Sequence, residues 1–116
     1  MQRQCFFKKI NLKDFKLTFR SKYRAADIEP KKKSNVPGAL FKISKSDEKK
    51  LDVYEDYPIL YKKYYFIYYG KKIMTYTMKK KTPFTFPTDK YLNVVKRGYK
   101  DCKLDKSYLK KALKAH

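Results

Sequence analysis

At 116 residues the chain is long enough for one domain with a modest core and too short for two. Hydrophobic residues make up 42% of it, which excludes a disordered charged tail, and no apolar run approaches the ~20 residues needed to span a bilayer. The formal charge of +20 attracts polyanions and small anionic metabolites alike, yet 27 Lys and only 4 Arg carry it along the whole length, which reads as a solvated basic surface rather than a focused nucleic-acid groove.

Lys13 to Arg20 sets Phe15, Leu17 and Phe19 on one face, the period-two pattern of a half-buried strand. Ala25 to Ile28 predicts a second short strand stopped by Pro30, and Lys31 to Asn35 a basic turn. Val36 to Ile43 predicts a further strand, with Pro37 near its start or at an edge. Ser44 followed three residues later by Asp47 is a capping signature. It predicts a helix over Lys45 to Tyr54 that buries Leu51, with Tyr54 beside it, and Pro58 closes its exit. Eight of the 12 Tyr lie between Tyr54 and Tyr76, and Tyr61 to Tyr69 with Lys71 to Met78 predicts a hairpin around Gly70. Thr82 to Pro87 is a loop. Thr88 caps a predicted helix over Asp89 to Arg97, with Tyr91, Leu92 and Val95 on one face and Gly98 as its stop. Asp105 caps a last helix striped by Tyr108, Leu109, Ala112 and Leu113. The order predicts a single α+β domain over 1–116, a small mixed or antiparallel β-sheet or barrel with short helices packed around it.

Several chemistries are excluded by inventory. Cys5 and Cys102 are far apart and the one His is His116, the last residue, so neither a zinc set nor a Ser-His or Cys-His nucleophile can be assembled. Gly38, Gly70 and Gly98 are the only glycines, so there is no glycine-rich phosphate loop. No metal and no cofactor are expected, which leaves carboxylates, tyrosines and backbone for any catalysis. Met1 to Lys9 lacks an apolar signal core, and a soluble, cytoplasmic chain without a membrane partner is expected, its oligomeric state left open.

One ordered set of residues carries more. Val36-Pro-Gly38-Ala-Leu40-Phe-Lys-Ile43 precedes Leu51-Asp52-Val-Tyr-Glu55 and Tyr61, and then come Tyr76-Thr-Met78, Pro87-x-x-x-Tyr91-Leu92, Gly98, Leu104, Tyr108 and Leu113. This resembles the γ-glutamylcyclotransferase-like (AIG2-like) superfamily from about Phe15 to Leu113. Two departures stand out. The family's opening strand ending in Tyr-Gly-Ser-Asn has no counterpart, since Met1 to Cys5 resembles the stretch after that motif, so the chain reads as N-terminally truncated relative to the family. The Gly that usually comes after the catalytic Glu is Asp56.

The resemblance implies an enzyme of the γ-glutamylcyclotransferase type that closes a γ-glutamyl amine or amino acid to 5-oxoproline and expels the amine. The partner is then a small anionic γ-glutamyl substrate. It implies Glu55 as general acid/base and Tyr91 and Tyr61 as substrate-binding residues. From the residues alone, Glu55 is an ordinary helix-end carboxylate beside many lysines; the motif turns the reading to catalysis, and Tyr54, Tyr57 and Tyr61 around it would raise its pKa by desolvation. For Tyr61 and Tyr91 the alternative is core packing. Asp52 reads as a bracing carboxylate. Two other functions stay open: a nucleic-acid-binding module using Tyr61 to Tyr69 with Lys62 and Lys63 as a basic stacking platform, and a catalytically impaired relative that keeps only a binding role.

Overall fold

A computed structural model describes residues 8–114, so the Met1 to Cys5 stretch and His116 lie outside the described residues. The elements run β1 (Lys8–Arg20), β2 (Ala25–Leu40), α1 (Lys45–Tyr54), β3 (Tyr61–Tyr68), β4 (Lys71–Met78), α2 (Asp89–Asp101) and α3 (Lys106–Lys114). The fold is α+β, with two antiparallel two-stranded sheets, β1-β2 and β3-β4, and three helices. The chain divides into two compact units. One holds β1, β2, α2 and α3, and the other spans Ile43–Lys81 with α1, β3 and β4.

In the first unit Phe19 is fully buried and forms a core with Leu92, Tyr99 and Leu109, joined by Leu17, Ala26, Phe84, Tyr91, Val95 and Ala112. The apolar stripes predicted for α2 and α3 are the ones that meet this sheet face, because residues three and four apart share a side of a helix. Burial pushes the Tyr99 phenol up to about 12. The alternation predicted for β1 holds at Phe15, Leu17 and Phe19, but the strand's end is buried on both sides: Thr18 and Arg20 are each 5% exposed. Arg20 is accommodated there by Asp27 and Glu29, which lie on its own face of β2.

Two predicted boundaries are corrected. Pro30 does not stop the second strand: β2 continues to Leu40, pairing Pro30 with Phe15 and Pro37 with Asn11. In a two-stranded sheet each strand keeps an open side where a missing N–H breaks no ladder bond. The predicted basic turn survives only as an irregularity inside β2, where the register shifts between Lys13 and Phe15 and Lys33 N–H donates to Asp14 Oδ1 at 3.0 Å. Gly98 does not end α2 either. The helix runs on to Asp101, and the turn falls at Lys103 with φ 56. A single interior Gly weakens a helix by only about 1 kcal/mol, and Tyr99 in the core outweighs it.

In the second unit the helix and hairpin fall as predicted. Tyr69 and Gly70 both have positive φ (48 and 77), a two-residue primed turn whose twist matches the strands. Among the described residues no helix is long and apolar enough to cross a membrane.

Candidate active site

Glu55 is placed by α1 and the turn that leaves it. Ser44 starts the helix: its hydroxyl accepts from Asp47 N–H at 3.0 Å, and Asp47 Oδ2 accepts from Ser44 N–H at 3.2 Å, a reciprocal capping box. At the other end Glu55 is the C-cap, its N–H donating to Leu51 O at 2.8 Å. Tyr57 N–H then donates to Asp52 O at 2.9 Å and Leu60 N–H to Asp56 O at 2.8 Å, which folds residues 55–60 into a tight exit leading to Tyr61.

The helix itself buries none of its residues. Leu51, predicted to be inside, is 37% exposed and Tyr54 is 83% exposed, a correction to both. The reason is that polar contacts hold this helix. Lys63 Nζ donates to Glu48 Oε2 at 2.6 Å and to Asp52 Oδ2 at 3.0 Å, and Tyr76 O–H donates to Asp52 Oδ1 at 2.6 Å. The Tyr76 hydrogen bond, and after it Lys63, holds the Asp52 carboxyl below its usual range. The hydrogen bond to Glu48 raises Lys63, and burial followed by the bond to Asp52 raises Tyr76. The same ammonium lies 4.5 Å from the centre of the Tyr57 ring.

Glu55 stands apart from this cluster. Its side chain is half-buried and has neither hydrogen bond nor ion pair among the described residues, and burial raises its pKa. Tyr61, in the same unit, is 7% exposed and meets Tyr76 edge-on at 6.3 Å. Tyr91 belongs to the other unit. Its hydroxyl oxygen accepts from Ala26 N–H at 3.0 Å and its ring meets Phe19 edge-on at 6.4 Å, so its described contacts are with the core. An open depression of about 370 Å³ in that unit is lined by Ser21, Lys22, Arg24, Thr82, Pro83 and Thr85, none of them a predicted site residue.

Asp56 has φ 53, the left-handed region where a side chain is strained and Gly is not. That gives a local physical reason for a Gly after the Glu. Asp56→Gly is therefore expected to leave the fold intact and to raise stability slightly, whereas Asp56→Val lowers it by about 1–2 kcal/mol; urea melts of the two variants check this ordering.

The geometry defines an α+β protein with a half-buried, unpaired carboxyl at the exit of a short capped helix. The chain belongs to the γ-glutamyl cyclotransferase, AIG2-like family, whose sequence model matches residues 2–96. Among solved structures it is similar to an uncharacterized protein from Homo sapiens, with 28% identity and a TM-score of 0.70, covering 95% of this chain and 73% of that one. It is also similar to a γ-glutamyl cyclotransferase, with 27% identity, a TM-score of 0.68 and the same coverage. No curated protein matches the sequence significantly.

Proposed function

We propose that this chain is a γ-glutamylcyclotransferase that converts a γ-glutamyl amine or amino acid to 5-oxoproline and the free amine, with Glu55 as general acid/base. The observation that carries it is the state of Glu55. In a chain with 31 basic residues and 11 acidic ones, a carboxyl that is half-buried and unpaired has been kept from the lysines. A desolvated carboxylate is a stronger base than an exposed one and, once it has taken a proton, can pass that proton on as an acid.

The chemistry needs both. The substrate's α-ammonium must lose a proton before its nitrogen attacks the γ-carbonyl carbon. The new C–N bond closes the five-membered ring and the old amide C–N bond breaks. Glu55 takes a proton from the attacking nitrogen and gives it to the departing one; a second proton moves in the same direction, so the amine leaves as an ammonium. Since both nitrogens belong to one bound molecule, holding it bent supplies much of the acceleration. The substrate is anionic, and the basic surface favours its capture.

The test is 5-oxoproline release from a panel of γ-glutamyl amino acids and amines by the wild type and by Glu55→Gln. No release by the wild type, or equal release by both, removes the proposal. The nucleic-acid reading has one observation in its favour: Tyr65 on β3 and Tyr69 in the hairpin turn are 48% and 82% exposed, with Lys72 Nζ 4.5 Å from the Tyr65 ring. It requires salt-sensitive oligonucleotide binding that Tyr65→Ala and Tyr69→Ala abolish.

A further inference from the structure

Lys63 is one of 27 lysines, and it is drawn into a cluster of two carboxylates, Glu48 and Asp52. Its position in the ladder explains why. On β3 it shares a face with buried Tyr61, and it pairs directly with Tyr76 on β4. One rung of the hairpin thus presents an ammonium and a phenol to the same helix. On α1, Glu48 and Asp52 are four residues apart and so share a face.

The contacts of that rung bracket Glu55. Three residues before it, the Asp52 carboxylate accepts from Tyr76 and from Lys63. Two residues after it, the Tyr57 ring lies under the Lys63 ammonium, and the Tyr57 N–H donates to Asp52 O. Both sides of the short segment carrying Glu55 are therefore fastened to Lys63. No residue of α1 is buried, and Val53 and Tyr54 are more than 80% exposed, so the helix has no apolar stripe to set its rotation over the sheet. Directional polar contacts do that instead.

We propose that Lys63 and Tyr76 are positioning residues for Glu55: with Glu48 and Asp52 they form a polar lock that fixes the helix end and its exit turn, and hence where the carboxyl stands. This rests on the proposed cyclotransferase activity for its kinetic consequence, although the lock itself is a matter of geometry. The misplacement of an acid/base group by about 1 Å is enough to lose a factor of 10² in rate. Polar contacts that served only to hold the helix on the sheet would leave turnover untouched in variants that stay folded.

The experiment uses Tyr76→Phe, which removes one hydroxyl, together with Lys63→Met and Lys63→Arg, all in the full chain. Two properties are measured: kcat and KM for 5-oxoproline release, and the titration of the Glu55 carboxyl by ¹³C NMR in wild type and Tyr76→Phe. The expected result is a kcat lowered about 10–100-fold in Tyr76→Phe and Lys63→Met with KM within about twofold, partial recovery in Lys63→Arg, and a Glu55 titration in Tyr76→Phe that moves back toward the ordinary carboxylate range as the loosened group gains water. Folded variants with wild-type kcat, or a Glu55 titration unchanged in Tyr76→Phe, overturn the lock. A wild type that releases no 5-oxoproline from any substrate defeats the proposed activity instead; the NMR titration then decides the lock by itself.

Discussion

Glu55→Gln is expected to lower 5-oxoproline release by about 10²–10⁴-fold, the range for a positioned general acid/base, and at the same time to make the chain more stable at neutral pH. The two effects share a cause. Burial raises the Glu55 carboxyl above its ordinary pKa, so folding disfavours its ionised form. A group whose folded pKa is raised contributes stability that is fully present below its unfolded pKa and lost as pH rises through the folded one. Above that raised pKa the wild type has lost that contribution and carries a desolvated carboxylate; the neutral Gln side chain carries none. Thermal melts of the two proteins should therefore separate as pH rises through the carboxylate range and converge again below it. The rate shows the matching dependence. Since the unprotonated carboxylate accepts the first proton, kcat/KM falls as pH drops through the raised Glu55 pKa. A Glu55→Gln protein with wild-type turnover would remove the residue from the chemistry, and one with no stability gain at neutral pH would show that the carboxyl is already well hydrated.

What could be seen in the sequence depended on how local the cause was. The capping box at Ser44 and Asp47 and the turn at Tyr69 and Gly70 are written within four residues, and both elements fall where the pattern puts them. Boundaries set by neighbours were not legible. Pro30 breaks a strand only if both sides of that strand are paired, and among the described residues β2 is laddered to β1 alone. Gly98 stops a helix only if nothing beyond it is held, and Tyr99 is held in the core.

The site divides in the same way. Glu55 was visible through its motif, because Leu51, Asp52 and Glu55 sit in one short run. Lys63 was hidden in the pair Lys62-Lys63, which reads as solvated surface. Alternation puts Lys63 on the face of Tyr61, but that face also carries the exposed Tyr65 and Ile67, so the pattern alone does not mark Lys63 as inside. The buried Arg20 was invisible for a different reason: its partners Asp27 and Glu29 come from the other strand, and only the register β1 adopts brings them to its face.

That Arg20 cluster carries the largest expected effect on stability. Arg20→Met should lower the unfolding free energy by about 3–5 kcal/mol, as when one partner of a buried ion pair is removed. The Arg20 side chain is 6% exposed and the Asp27 side chain is fully buried. Nε lies 3.2 Å from Asp27 Oδ2, an ion contact off the hydrogen-bond direction, and Nη2 donates to Glu29. Nη1 donates to Thr82 O at 3.0 Å, and that loop is also tied to the strand end by Ser21 N–H to Thr82 Oγ1 and Thr85 N–H to Phe19 O, both at 2.9 Å. Methionine keeps much of the aliphatic volume but leaves Asp27 buried without its cation and the Thr82 carbonyl without that donor. Glu29, partly exposed, can turn toward water. The loss should therefore come mostly from Asp27, and the double variant Arg20→Met/Asp27→Leu should recover most of it, because a well-packed apolar pair often replaces a buried ionic one at little cost. Urea denaturation of the two single variants and the double gives the coupling directly. If both single variants lose less than 1 kcal/mol, water reaches these charges and the end of β1 is not the dry interior that its exposure indicates.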